Sequence, residues 1–266
     1  MTAKTAALVL LVASSATALE AQNFAYAPAA VKYRITSTGQ VSQEMMGQKR
    51  QDSLNSNMLV SLNITAKGKD TLQLMYVIDS ASSTNPTLAA QISKVVGDTI
   101  RSSISPIGQV FSFQPPADSA DANEQQYQEF KTFLIRFPSG TPKTGQAWVD
   151  TTTTPFNNQG ISGTATVITA SRILGDTSFG GEKAWRVERK SSVTLSGSGT
   201  AQGQALVLEG TGTADEMRYI SSKGLVLGAT GTENSDINVS IPAQGATIPI
   251  TRSSISKIEL IRGKKG

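Results

Sequence analysis

Met58-Leu59-Val60-Ser61-Leu62-Asn63-Ile64-Thr65-Ala66 leads into Lys67-Gly68-Lys69-Asp70 and then Thr71-Leu72-Gln73-Leu74-Met75-Tyr76-Val77-Ile78. Met58, Val60, Leu62 and Ile64 occupy alternate positions, and so do Leu72, Leu74, Tyr76 and Ile78. Successive side chains of a strand point to opposite faces, so each run puts large apolar groups on one face. The Lys-Gly-Lys-Asp stretch between them carries turn chemistry. The stretch predicts a long antiparallel hairpin with a single apolar face, which a neighbouring layer or the curl of the sheet must cover.

The same reading extends outward. Val31-Lys32-Tyr33-Arg34-Ile35 alternates before the hairpin. After Gly140 the candidate strands are 146–154, 163–174, 183–195, 204–220, 224–234 and 247–261. Phe179-Gly180-Gly181-Glu182, Ser221-Ser222-Lys223-Gly224 and Pro242-Ala243-Gln244-Gly245 supply turns between them. Short links between sequential strands predict an antiparallel meander of about ten strands. Gly197-Ser198-Gly199 and Gly210-Thr211-Gly212 read as kinks that relieve strand curvature.

Two helices are expected to interrupt the strands. Asn85 suits an N-cap, Pro86 the first helical position and Gly97 the end, with Leu88, Ile92 and Val95 on the buried side. Asp121 and Glu124 resemble a capping box, and Tyr127, Phe130, Leu134 and Phe137 follow at helical spacing up to Pro138-Ser139-Gly140. This stripe has two readings: a plug in the core, or a lid over a ligand cavity. The predicted fold is mainly β, a curled antiparallel sheet or half-open barrel with two inserted helices. It forms one domain over 22–266, with 138–143 as the only plausible seam.

The first residues predict a signal peptide over 1–21. Lys4 precedes the apolar run Ala6 to Ala18, which is too short to span a bilayer, and small residues lead to cleavage after Ala21 or after Ala18. No later apolar stretch has transmembrane length, so the mature chain is expected in the periplasm or the medium. The chain of 266 residues has a net charge of +4, and loss of Lys4 with Glu20 leaves that charge unchanged. Basic residues cluster only at Arg262, Lys264 and Lys265, with no aromatic interleaving, so no nucleic-acid partner is expected. Aromatic content of 6% is low for the interfacial girdles of an outer-membrane barrel.

Cys and His are both absent. Disulfides, thiol nucleophiles, imidazole bases and the usual zinc ligands are thereby excluded. Ser254-Ile255-Ser256-Lys257 and Lys143-Thr144-Gly145 match fragments of the β-lactamase signature. Residues three apart on a strand face opposite ways, so Lys257 cannot activate Ser254 there. The order of the two fragments is also reversed. Glu233, Asn234, Asp236 and Asn238 lack calcium-loop spacing and read as a polar hairpin turn. No catalytic residue, metal ligand or cofactor is expected, and the chain is read as a non-enzyme.

Val31-Lys32-Tyr33, Gln43-Glu44-Met45-Met46-Gly47-Gln48, Pro106-Ile107-Gly108-Gln109-Val110 and Phe137-Pro138 leading to Gly145-Gln146-Ala147-Trp148 resemble a group of uncharacterised exported β-rich bacterial proteins. That resemblance covers most of the mature chain and implies no activity. The architecture is also similar to periplasmic lipoprotein carriers, whose half-open barrels hold acyl chains under helical lids. The analogy implies an apolar or amphiphilic ligand such as a lipid. Met58, Val60, Leu62 and Ile64 would line the cavity, and Tyr127, Phe130, Leu134 and Phe137 would cover it. The alternative is a structural or interaction protein of the cell envelope, marked by a large exposed apolar patch in place of a cavity.

Overall fold

The computed structural model describes residues 24–45, 47–114, 130, 133–158, 160–201 and 203–262. The expected signal peptide lies outside them. The strands are β1 (Ala29–Met45), β2 (Gln48–Ala66), β3 (Leu72–Ser83), β4 (Thr99–Ile104), β5 (Val110–Gln114), β6 (Ala147–Asn158), β7 (Ile161–Phe179), β8 (Glu182–Ala201), β9 (Gln204–Ser221), β10 (Val226–Ile241) and β11 (Ala246–Ile261). They form one antiparallel eleven-stranded sheet in the order β5-β4-β3-β2-β1-β11-β10-β9-β8-β7-β6. The opening hairpin is β2 and β3, with Leu62 opposite Tyr76 and Ile64 opposite Leu74.

The meander is broken in one informative way. β1 pairs with β11, with Tyr33 opposite Leu260 and Ile35 opposite Ile258, so the first and last strands meet in the middle of the sheet. β5 and β6, consecutive in sequence, therefore become the two outer edges. The link between them has to pass from one edge to the other. Within its described part, Phe130, Phe133, Leu134, Ile135 and Phe137 are buried.

This crossing segment is what the sheet curls around. Phe133 packs edge-on to Tyr33 of β1 at 5.1 Å and lies 5.8 Å from Tyr76 of β3. Phe130 meets Tyr76 and Phe113 of β5. Phe137 stacks on Phe24 at 4.6 Å, and Phe24 in turn touches Trp185 of β8. Arg218 of β9 donates to the Phe133 carbonyl at 2.8 Å. Strands from both sides of the sheet thus contact one short stretch of chain. The sheet does not close, because β5 and β6 do not pair. Val110 of β5 and Asp150 to Thr152 of β6 instead border a common opening of about 290 Å³, with Leu134 and Arg136 between them.

A helix α1 (Pro86–Ile92) follows β3, and a single 3-10 turn (Ser93–Val95) extends it. Asn85 caps it as expected: its side-chain oxygen accepts from the Leu88 amide at 3.1 Å. The second expected helix falls mostly outside the described residues, as do Asp121, Glu124 and Tyr127. Its described end makes one helical turn, with the Leu134 amide donating to the Phe130 carbonyl at 3.1 Å. From Ile135 to Pro138 the chain has neither helical nor strand structure, so Phe137 reaches the core on irregular backbone.

Two local expectations need correction. Glu233, Asn234, Asp236 and Asn238 lie within β10, not in a turn; β10 pairs with β9 and β11 along this whole stretch. Gly197 is paired strand backbone without a break in register, opposite Gly163 of β7, which in turn lies opposite Phe156 of β6. The tip of the Phe156 ring lies over both glycines, 2.6 Å and 2.9 Å from where a Cβ would stand. Glycine here makes room for a cross-strand aromatic.

The two faces of the sheet differ in chemistry. Along β8 the outward side chains Glu188, Lys190, Ser192, Thr194, Ser196 and Ser198 are polar, while Val187, Val193 and Leu195 point to the core side. A lipid-facing barrel wall needs the opposite polarity. No helix among the described residues is long and apolar enough to cross a membrane.

Candidate binding trough

The core fills only one end of the long strands. On β7, Ile173, Ser171 and Thr169 are buried; beyond them Val167 and Ala165 are half-buried. β8 repeats the pattern: buried Val187 gives way to half-buried Ser191, Val193 and Leu195. Register aligns these rows, since Val167 lies opposite Val193 and Ala165 opposite Leu195. On β9 the same inner rows hold Ala214, Gly212 and Gly210. Small residues at these positions leave the inner face concave and less filled than at the core end. The result is a trough whose walls are aliphatic and whose floor is the crossing segment.

At the floor is a cavity of about 180 Å³. Leu134 and Arg136 of the crossing segment line it together with Trp148 and Asp150 of β6, Thr169 and Ser171 of β7, Arg189 and Ser191 of β8, Asp215 and Glu216 of β9, and Glu233 of β10. Arg136 pairs with Asp150 at 3.6 Å. Thr169 and Ser191 share a hydrogen bond of 2.9 Å.

The inner face also carries a buried charge cluster. Arg189 Nη1 donates to Glu216 Oε2 at 2.7 Å, and Arg218 Nε lies 2.8 Å from Glu216 Oε1. The side chain of Arg218 is 2% exposed and that of Arg189 only 11%. Two cations thus share one carboxylate in a poorly hydrated place. Burial lowers the Arg189 guanidinium to about 10, and the nearby Arg218 charge acts in the same direction. Burial alone would raise the Glu216 carboxyl, but Arg218 and Arg189 together hold it below its usual range. The Arg189 Nε is buried and meets no acceptor among the described residues.

The expected ligand-facing residues occupy a different place. Val60, Leu62 and Ile64 are at most 2% exposed and belong to the packed core, and Met58 is half-buried one inner row further out. Phe130, Leu134 and Phe137 are buried in the same core; of these only Leu134 also borders the floor cavity. Tyr127 lies outside the described residues. The structure therefore brings the described members of the set together as packing, and the open surface falls to Val167, Val193, Leu195 and the charge cluster. Sequence reading missed Arg189, Glu216 and Arg218. The available signal was their parity: Arg189 falls in phase with Val187, Val193 and Leu195, where an unpartnered charge would be costly.

The β-lactamase fragments have no catalytic arrangement. Ser254 is buried on the inner side of β11, whereas Lys257 points outward and pairs with Glu259 at 2.7 Å. Among the described residues no group of three acidic side chains is placed to hold a metal ion.

The chain is, by its fold, a mainly-β protein built on one open antiparallel sheet with a partly filled concave face. Among solved structures it is similar to a DUF1329 family protein from Desulfovibrio piger, at 10% identity over 88% of this chain and 86% of that one, with a TM-score of 0.22. It is also similar to OmpTdeltaL8, a loop L8 deletion mutant of the Vibrio cholerae outer membrane protein OmpT, at 6% identity over 88% of this chain and 100% of that one, with a TM-score of 0.28. At such identities and TM-scores neither likeness carries a function to this chain. No family model and no curated protein matches it.

Proposed function

We propose that the chain is an exported, non-catalytic binding protein that takes an amphiphilic molecule into the trough. The observation that carries this reading is the aliphatic inner wall of Val167, Val193 and Leu195, which continues past the fully buried core and is only half-buried. Binding sites are concave and mostly apolar, with a few convergent polar groups that fix orientation. The trough has both parts, since the aliphatic rows end at Trp148, Arg189 and the Thr169–Ser191 pair. The floor cavity alone, at about 180 Å³, is too small for a whole lipid and suits only one end of a molecule.

Two observations support binding over catalysis or docking. The chain contains no His or Cys, and two of the four carboxylates that line the cavity, Glu216 and Asp150, are engaged by arginines. The large exposed apolar side chains Val96, Phe111, Val149, Ile168, Ile255 and Ile261 are spread over four strands and one loop. Native mass spectrometry of protein purified from its own source, followed by solvent extraction, tests the reading. The expected result is a co-purifying amphiphile. Folded protein that carries none, and that also fails to bind a fluorescent fatty-acid probe, rules the reading out.

A further inference from the structure

Cross-strand register places two belts of opposite chemistry on the inner face of the trough. The first passes beside the floor cavity: Asp150 of β6 lies opposite Thr169, Thr169 opposite Ser191, Ser191 opposite Ala214, Ala214 opposite Glu233, and Glu233 opposite Ser254 of β11. Every side chain in it except Ala214 is polar. The second belt lies nearer the β6–β7, β8–β9 and β10–β11 turns, offset by six residues on each strand, as from Asp150 to Phe156 or Ser191 to Gly197. It holds Phe156, Gly163, Gly197, Leu208, Val239 and Ile248, none of them polar. Six residues of strand span about 20 Å. Between the belts the half-buried inner side chains of β7 and β8 are Val167, Ala165, Val193 and Leu195.

Phe156 dominates the apolar belt. Neither Gly163 nor Gly197 has a left-handed backbone, so conformation does not demand glycine at either position. The tip of the Phe156 ring takes the place of their missing side chains, and the ring itself is only half-buried. One side chain of β6 thus supplies apolar surface across three strands at the far end of the trough.

We infer that the trough takes a long-chain amphiphile in one orientation, its polar end at the belt beside the floor cavity and the end of its tail against Phe156, which makes Phe156 the residue that selects for tail length. This rests on the trough reading above and adds the length of the tail and the residue that reads it. A tail shorter than the span between the belts never meets Phe156. A tail that spans it gains burial there, and each methylene so buried contributes about fourfold in affinity.

The test measures displacement of a fluorescent fatty-acid probe from the purified protein by octanoyl and hexadecanoyl monoglycerides, each below its aggregation concentration. Their common uncharged head keeps the charges of the floor out of the comparison. Wild type is expected to bind the hexadecanoyl ester at least about a hundredfold more tightly. Phe156→Ala is expected to lower hexadecanoyl affinity about tenfold, the equivalent of about two methylenes left unburied, and to change octanoyl affinity less than about twofold. Phe156→Leu keeps apolar bulk at that end and should restore most of the loss. Val239→Thr keeps shape and strand preference on the opposite side of the belt. It should also weaken the long ester selectively, which keeps the test informative should Phe156→Ala unfold. Equal binding of the two esters by wild type overturns the tail-length assignment while leaving the trough reading intact. Folded Phe156→Ala or Val239→Thr protein that weakens both esters alike, or neither, overturns the placement of the tail end. Folded wild type that binds neither ester nor the probe overturns the trough reading itself.

Discussion

The amide of Ile135 donates a 2.8 Å hydrogen bond to the phenolic oxygen of Tyr26, across 109 positions of sequence. Tyr26 approaches β1, and its own amide donates to the Pro106 carbonyl beside β4 at 2.7 Å. One buried tyrosine thus ties the segment leading into β1 to the crossing segment that fills the sheet. Tyr26→Phe keeps the ring but leaves the Ile135 amide buried without an acceptor. A loss of about 1–3 kcal/mol is expected in urea unfolding at pH 7.

The same tyrosine predicts an alkaline signature. Burial raises the Tyr26 phenol from 10.0 to about 12. A group raised on folding contributes stability that is fully present below its unfolded value and is lost as pH climbs through its folded value. The stability advantage of wild type over Tyr26→Phe should therefore shrink between about pH 10 and pH 12. Comparing the pair isolates Tyr26 from Arg189, whose lowered value acts in the opposite sense in that window. Unfolding curves across that range check it; an advantage that stays constant to pH 12 would contradict it.

Glu216 holds two buried guanidiniums, at 2.7 and 2.8 Å. Glu216→Gln removes the carboxylate that both share, and a destabilisation of about 3–5 kcal/mol is expected. Arg189→Gln should cost less, because a matched Glu216–Arg218 pair remains. The carboxyl lies below its ordinary value of 4.5, so its contribution is complete above that value and disappears as pH falls through the lower folded one. Denaturant titrations at neutral and acid pH should show the gap between wild type and Glu216→Gln narrowing on acidification. Equal losses for the two substitutions at neutral pH would mean that the cluster is not organised around Glu216.

The glycines under Phe156 give a steric prediction. A Cβ at Gly163 would stand 2.1 Å from the Ser196 carbonyl oxygen and 2.6 Å from the Gly197 Cα, both backbone atoms that cannot swing away. Gly163→Ala should destabilise by about 1–3 kcal/mol through forced separation of β7 from β8. Thermal unfolding measures it, and a variant as stable as wild type would show that the strands relax freely there.

What the sequence made legible follows the range of its signals. The β2–β3 hairpin was readable because apolar alternation and turn chemistry lie within one short window, and the Asn85 cap was readable for the same reason. The pairing of Tyr33 with Leu260 was not, because contacts between chain ends leave no local trace. The crossing from β5 to β6 follows from that pairing and was equally hidden. The Phe130, Leu134 and Phe137 stripe was readable as apolar, yet spacing alone could not tell a plug from a lid; the structure packs these side chains in the core. The charge cluster was missed because Arg189, Glu216 and Arg218 come from two strands and meet only through the β8–β9 register.

Trp148 borders the floor cavity, whereas Trp185 packs against Phe24, and these are the chain's two tryptophans. Bromine on an acyl chain quenches indole emission only at close range, so titration with fatty acids brominated at one end or the other reports directly on trough occupancy. The account predicts saturable quenching in wild type that disappears in Trp148→Phe while Trp185 continues to emit. Emission that is unaffected by both brominated acids, or quenching that persists unchanged in Trp148→Phe, would contradict it.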